Sequence, residues 1–351
     1  MQINKKFWKN KKVFITGHTG FKGSWLAKLL IYLDAKVIGY SLREEKKSLY
    51  KELYLNKNLI NIYANVKDYE KLKFEVNKHK PDIIFHLAAQ PLVLESYRNP
   101  FETFETNIMG TLNLLEIIKN KKNIKNAIII TTDKCYKNDN KNKKFKETDE
   151  LGGKDPYSWS KVCAELITNQ YREHFQKTNI TLCTVRSGNV IGPGDYGKDR
   201  IIPDIIKSIN SNLNIVIRNP KATRPWQDIL DVICGYIILA EKSYKNKFFN
   251  GSWNFGPNNI KEISVLDIVK KIIKLKKYKK NYKIINYKNA KEAKYLMLNS
   301  NKAKKQLNWK TNIIIDKSLV NIIKWNDLNN YKNKNTFVNQ LIKKYLFDYA
   351  N

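Results

Sequence analysis

The chain has 351 residues, enough for one large or two smaller domains, and its 42% hydrophobic and 12% aromatic content excludes wholesale disorder. Its 65 Lys and Arg against 32 Asp and Glu leave a formal charge of +33. The basic residues are scattered, as in Lys277-Tyr-Lys-Lys-Asn281, and form no nucleic-acid recognition element, so the charge speaks to solubility and to attraction of phosphate-bearing partners. Four widely spaced cysteines (Cys135, Cys163, Cys183 and Cys234) offer neither a metal site nor a disulfide framework and fit a reducing cytoplasm. The first residues carry charge without an apolar h-region, so no signal peptide is expected. No apolar run approaches the ~18 residues that a membrane span needs.

In chain order, Val13–Thr16 is a short apolar strand that breaks into Gly17, and a helical pattern follows from Ser24 to Leu33. Ala35–Leu42 reads as a second strand, Ile62–Val66 as a third and Asp82–Leu87 as a fourth. A helix over Phe101–Lys119 leads to a fifth strand, Asn126–Thr131; a helix from Pro156 to Gln176 leads to a sixth, Asn179–Arg186. Near-continuous β-branched runs alternating with helices predict an α/β fold, a doubly wound parallel sheet, Rossmann-like. After Arg186 the alternation lapses. Gly188–Arg200 is loop-like, Ile201–Leu213 helical, and Ile260–Lys291 mixes helix and strand signals. These predict a nucleotide-binding domain of residues 8–186 plus 228–256, and a smaller substrate lid of residues 187–227 plus 257–345.

Gly17-His-Thr-Gly-Phe-Lys-Gly23 places three glycines at a spacing of three between strand and helix. Glycine permits the tight turn and lets backbone N–H groups approach a pyrophosphate, which the helix N-terminus also attracts. Thr19 and Phe21 lie in the same turn. A carboxylate ending the second strand would select NAD, but Gly39-Tyr-Ser-Leu-Arg-Glu-Glu45 has none in the strand itself. Arg43 is either a 2′-phosphate ligand or a solvated turn residue, and Asp68 either binds the adenine amino group or caps a helix. Tyr157 and Lys161 stand at i and i+4, on one face of a helix whose first turn holds Pro156. A lysine ammonium beside the phenol would lower its pKa and suit it to take a proton from a sugar hydroxyl as hydride leaves the same carbon. Thr132, Asp133 and Lys134 follow the fifth strand at the carboxyl edge, where open α/β sheets place ligands. They offer one hydrogen-bonding and two proton-transfer groups; otherwise they are a polar strand end.

With these motifs, the sequence resembles the extended short-chain dehydrogenase/reductase family, and within it the branch that dehydrates CDP-glucose. The matching segments include Gly17-His-Thr-Gly-Phe-Lys-Gly-Ser-Trp25, His86-Leu-Ala-Ala-Gln90, Thr131-Thr-Asp-Lys-Cys-Tyr136 and Asp155-Pro-Tyr-Ser158. Arg186-Ser-Gly-Asn-Val-Ile-Gly192, Asp199-Arg-Ile-Ile-Pro-Asp204 and Ile217–Gln227 extend the match. The resemblance implies an NAD cofactor contacted by Gly17, Thr19, Gly20, Phe21, Gly23, Asp68, Leu87, Ala88, Ala89, Tyr157 and Lys161. It implies that Tyr157 with Thr132 oxidises C4 of the glucose, that Asp133 protonates the departing C6 hydroxyl, and that Lys134 removes the C5 proton. Asn189, Arg200 and Arg224 would bind the nucleotide sugar, and Asn107 would fix loop geometry. Ser187 departs from the family, where a small alanine-like residue is expected. A homodimer through the helices near Phe101–Lys119 and Pro156–Gln176 is expected. The alternatives are a nucleotide-sugar 4-epimerase, which needs no Asp133–Lys134 pair, and a non-catalytic dinucleotide-binding regulator.

Overall fold

Val13, Phe14 and Ile15 are fully buried in succession, as a strand covered on both faces requires. They form β1 (Lys12–Thr16), an interior strand of a seven-stranded, all-parallel sheet. The other strands are β2 (Lys36–Ser41), β3 (Ile60–Tyr63), β4 (Ile83–His86), β5 (Asn126–Ile130), β6 (Thr181–Ser187) and β7 (Gly251–Phe255). Their spatial order is β7-β6-β5-β4-β1-β2-β3, so the order reverses between β1 and β4, and a ligand crevice is expected at their carboxyl ends. Val13 sets the register, opposite Val37 on one side and Ile83 on the other. The computed structural model describes residues 3–139, 143–257, 263–285 and 295–350. Parts of the polar loop around 137–144 and of the mixed stretch 260–291 lie outside the described residues.

Three elements differ from the sequence expectation. The third strand ends at Tyr63 because β2, its only partner among the described residues, ends at Ser41; residues 64–66 turn into the crevice instead. The helix expected over Phe101–Lys119 is α-helical at Pro100–Phe104 and Gly110–Ile118 but π-helical between, at Glu105–Met109. Such bulges concentrate at functional sites, and this one carries the buried Asn107. β7 was not legible because Asn254, a polar residue, is buried in it by tertiary bonds: it accepts from Tyr136 OH at 2.7 Å and donates to the Phe145 carbonyl at 2.9 Å.

Helices α1 (Phe21–Tyr32), α2 (Tyr69–His79), α3 (Gly110–Ile118), α4 (Pro156–Phe175) and α5 (Ile229–Lys245) cover the sheet. A separate apolar cluster joins Ile202 and Ile205 of the helix Ile201–Asn210 to Ile215, Trp226, Ile268 and Leu319. Residues 257–345 do not all follow the lid. Ala303, Leu307, Trp309, Trp325, Val338, Ile342 and Tyr345 pack into the sheet's own core, since the buried Asp231 on α5 accepts from Asn312 N, Ile313 N and Tyr345 OH at 2.8–3.2 Å. Among the described residues, no helix is long and apolar enough to cross a membrane.

Candidate active site

The turn from β1 into α1 is built from backbone contacts. Gly17 has φ +76°, and a Cβ there would lie 2.6 Å from Ala88 N. A Cβ on Gly23 would lie 2.1 Å from the Gly17 carbonyl oxygen. Gly20 differs, since its Cβ would meet only that oxygen, at 3.4 Å. The turn is therefore closed toward the protein and open toward the crevice at Gly20, the cradle that a dinucleotide pyrophosphate needs. Thr19 Oγ1 donates to the Leu42 carbonyl at 3.1 Å and shares a 2.8 Å hydrogen bond with Ser41 Oγ. His18 fills the space beside Gly39 and hydrogen-bonds Asn61 Oδ1 at 2.6 Å; burial lowers its pKa to about 4 and keeps the imidazole neutral.

A cleft of about 710 Å³ runs from this turn across the carboxyl edge of the sheet, a size suited to a small-molecule site. Gly17, Thr19, Gly20, Phe21 and Gly23 line it with Leu87, Ala88 and Ala89 after β4. Asp68 does not. Its carboxylate caps α2, accepting from Lys71 N at 2.9 Å, because at the end of a turn the nearest unsatisfied donors are those of the following helix. Asn65, three residues earlier, lines the cleft in its place. Arg43 stacks on Tyr63, 4.7 Å from the ring centroid.

Tyr157 and Lys161 enter the cleft from the first turns of α4, whose start is held by an Asp155–Ser158 capping box and by Pro156. Tyr157 and Thr132 both line the cleft. Burial pushes the Tyr157 phenol up to about 12, opposed by the Thr132 hydroxyl and by the charge of Arg200. Lys161 stands one turn further along α4. Its ammonium donates to the Ile130 carbonyl at 3.1 Å, and burial lowers it to about 8. One turn on, Glu165 accepts from Arg186 Nε and Nη2, both at 2.8 Å, and from Thr184 Oγ1 at 2.7 Å. This buried pair locks α4 against β6. Asn107 donates to Ser160 Oγ at 2.8 Å and to the Gln90 carbonyl at 3.1 Å, a loop-fixing role.

Thr132 opens a 3₁₀ turn, Asp133–Cys135. Thr132 Oγ1 donates to Asp133 Oδ1 at 3.2 Å, and Lys134 Nζ lies 3.8 Å from the same oxygen. Asp133 is 1% exposed and its Oδ2 has no hydrogen-bond partner, an orphaned buried acceptor that calls for a ligand or a proton. Lys134 is about one-third exposed. From the lid, Asn189, Arg200 and Arg224 line the same cleft. Arg200 is paired with Asp195 at 3.1 Å, and Arg224 is buried with Nη1 donating to the Thr223 carbonyl at 2.9 Å. The structure thus brings together every expected site residue except Asp68. Sequence reasoning missed Lys22, whose ammonium donates to Ser187 Oγ at 2.9 Å; the one signal was a charged residue inside the glycine turn.

A reversing parallel sheet, an open glycine turn and a Tyr157–Lys161 pair facing it define an extended short-chain dehydrogenase/reductase. The family model for GDP-mannose 4,6 dehydratase matches residues 14–322, and the chain belongs to that family. It is 42% identical over 331 residues to the CDP-glucose 4,6-dehydratase of Salmonella typhimurium, covering 92% of each chain. A dTDP-D-glucose 4,6-dehydratase of Dictyostelium discoideum is 31% identical over 288 residues, 76% of this chain and 62% of that one. Among solved structures, UDP-glucose 4-epimerase of Thermotoga maritima with UDP-glucose superposes with a TM-score of 0.80 at 23% identity, over 90% of this chain and 98% of that one. The dTDP-glucose 4,6-dehydratase of Bacillus anthracis in complex with NAD gives 0.77 at 23% identity, over 90% and 96%. Both share the fold.

Proposed function

We propose that this protein is an NAD-dependent hydro-lyase that converts CDP-glucose to CDP-4-dehydro-6-deoxyglucose. The observation that carries the reading is the Asp133–Lys134 turn beside Tyr157 in one cleft, in a chain 42% identical to a CDP-glucose 4,6-dehydratase. When bound, NAD supplies the acceptor for the C4 hydride and later its donor to C6. Tyr157 takes the C4 hydroxyl proton, with Thr132 orienting that hydroxyl. A 4-ketone acidifies C5–H, which Lys134 removes as Asp133 hands a proton to the leaving C6 hydroxyl, and Lys134 returns its proton to C5 when hydride reaches C6. Arg200 and Arg224 bind the diphosphate, as guanidinium forks suit phosphate, and Asn189 the sugar. An epimerase has no task for Asp133 and Lys134, and a non-catalytic regulator has none for Tyr157 and Lys161.

We further propose a cytoplasmic homodimer that serves deoxysugar and polysaccharide biosynthesis. Phe101, Met109, Trp159 and Leu166 are large apolar side chains exposed at 44–76% on the π-bulged helix and α4, and such a patch suits a second copy. The substrate lid is read as residues 187–227 with the apolar cluster around Ile268. Incubation with CDP-glucose, dTDP-glucose and GDP-mannose tests the function. We expect 4-keto product and the highest kcat/KM with CDP-glucose; equal or reversed values defeat the specificity. Tyr157→Phe should abolish turnover while substrate and dinucleotide still bind, because only the ionisable oxygen is lost.

A further inference from the structure

Lys22 has no task in the chemistry above, yet it stands inside the glycine turn and in the wall of the cleft. Its ammonium is held by Ser187 Oγ at 2.9 Å, and Ser187 Oγ shares a 2.8 Å hydrogen bond with Tyr236 OH. Ser187 and the lysine in the turn are therefore one polar unit. Its place along the cleft is the reacting end. A Cβ on Gly188, the next residue, would lie 3.0 Å from Asp133 Oδ2, and Lys22, Ser187, Asp133 and Tyr157 line the same cleft. The charges that face Lys22 are Arg200 at the start of the Ile201–Asn210 helix, Asp133 and Lys134 after β5, and Lys161 on α4. Burial, with the three cations, lowers its pKa to about 7, against the pull of Asp133.

We propose that Lys22 is a redox-linked proton site, protonated when the cofactor's nicotinamide ring is in its neutral reduced form and unprotonated when the ring is in its cationic oxidised form. Two cations in one poorly solvated wall repel each other. An amine that sheds its proton near neutral pH relieves that repulsion, and it regains the proton once the ring loses its charge. The balance closes without a further reagent. Hydride leaves C4 with its electron pair, the hydroxyl proton goes to Tyr157, and the Lys22 proton comes from water and returns to it when hydride reaches C6.

This inference rests on the NAD reading above, and equilibrium binding separates the two. NAD and NADH are titrated calorimetrically into the full chain without sugar, in buffers of different ionisation enthalpy. Between about pH 6 and about pH 8, affinity for NAD should rise by about tenfold while that for NADH does not, with proton release on NAD binding below the midpoint. Lys22→Met should remove the proton release and bind NAD with little pH dependence. Lys22→Arg should bind NAD weakly throughout, because guanidinium keeps its charge. Ser187→Ala, a milder change, should move the midpoint to lower pH by removing the ammonium's acceptor. A pH-independent ratio of NAD to NADH affinity in the unmodified protein, or an unchanged pH dependence in Lys22→Met, overturns the assignment alone. Failure to bind either dinucleotide at any pH overturns the cofactor reading and this inference with it.

Discussion

Two turns flank the cleft, one after β1 and one after β5, and they are held by opposite means. In the first, Gly17 and Gly23 touch backbone at distances that exclude any side chain. In the second, Thr132, Asp133 and Lys134 are held by their own polar side chains, with one buried carboxylate oxygen left unpaired. A backbone-built cradle holds its ligand by shape. A side-chain-built site moves protons, and its unpaired groups are what make it reactive. Breaking the first should therefore change binding, and breaking the second should change chemistry.

The largest effect is expected at the second turn. If Lys134 is the C5 base, Lys134→Met leaves Tyr157 and Lys161 intact, so C4 oxidation continues while elimination slows by ~10²–10⁴-fold. Absorbance of reduced cofactor should then accumulate on the enzyme after CDP-glucose is added. Product formation at the unaltered rate, with no such signal, removes Lys134 from the mechanism. At the first turn, Gly23→Ala drives a methyl group to 2.1 Å from the Gly17 oxygen. The turn must shift, and NAD affinity should fall by roughly tenfold or more. A dissociation constant equal to that of the unmodified protein would show that the turn is not the cradle.

Titration of stability belongs to neither turn but to the docking of the C-terminal helices on α5. Burial raises Asp228 to about 6 and Asp231 to about 7, the latter helped by the charge of Asp228. Both groups hold protons more tightly folded than unfolded, so folding takes up protons there. Stability is lost as pH rises from about 4, where the unfolded carboxyls ionise, to about 7, and levels off above it, and Tm should fall across that window. Asp231→Asn should flatten the fall; an unchanged slope would show that the pair does not titrate as a buried site. The smallest effect is expected at Arg43, whose only ring contact among the described residues is Tyr63. Arg43→Ala should change NAD affinity by less than about fivefold, the scale of an exposed cation–π contact. A preference for NADP that this substitution abolishes would instead make Arg43 a 2′-phosphate ligand.

The sheet's first six strands, the glycine turn and the Tyr157–Lys161 pair were legible in the amino-acid order. Each depends on local rules: burial on both faces, glycine where no Cβ fits, and helical spacing of four. Asp68 shows the limit, because a carboxylate before a helix serves a cap or a ligand equally well, and only the fold shows which donor is nearer. The buried Asn254 of β7, the π-helical turn that carries Asn107, and the packing of Trp309 and Tyr345 into the sheet's core depend on partners far along the chain. So does Lys22. Its residue type was visible at once, but its meaning comes from Ser187, 165 residues away. Burial there lowers the lysine's proton affinity toward neutrality, and burial is a property of the packed molecule, not of its order of residues.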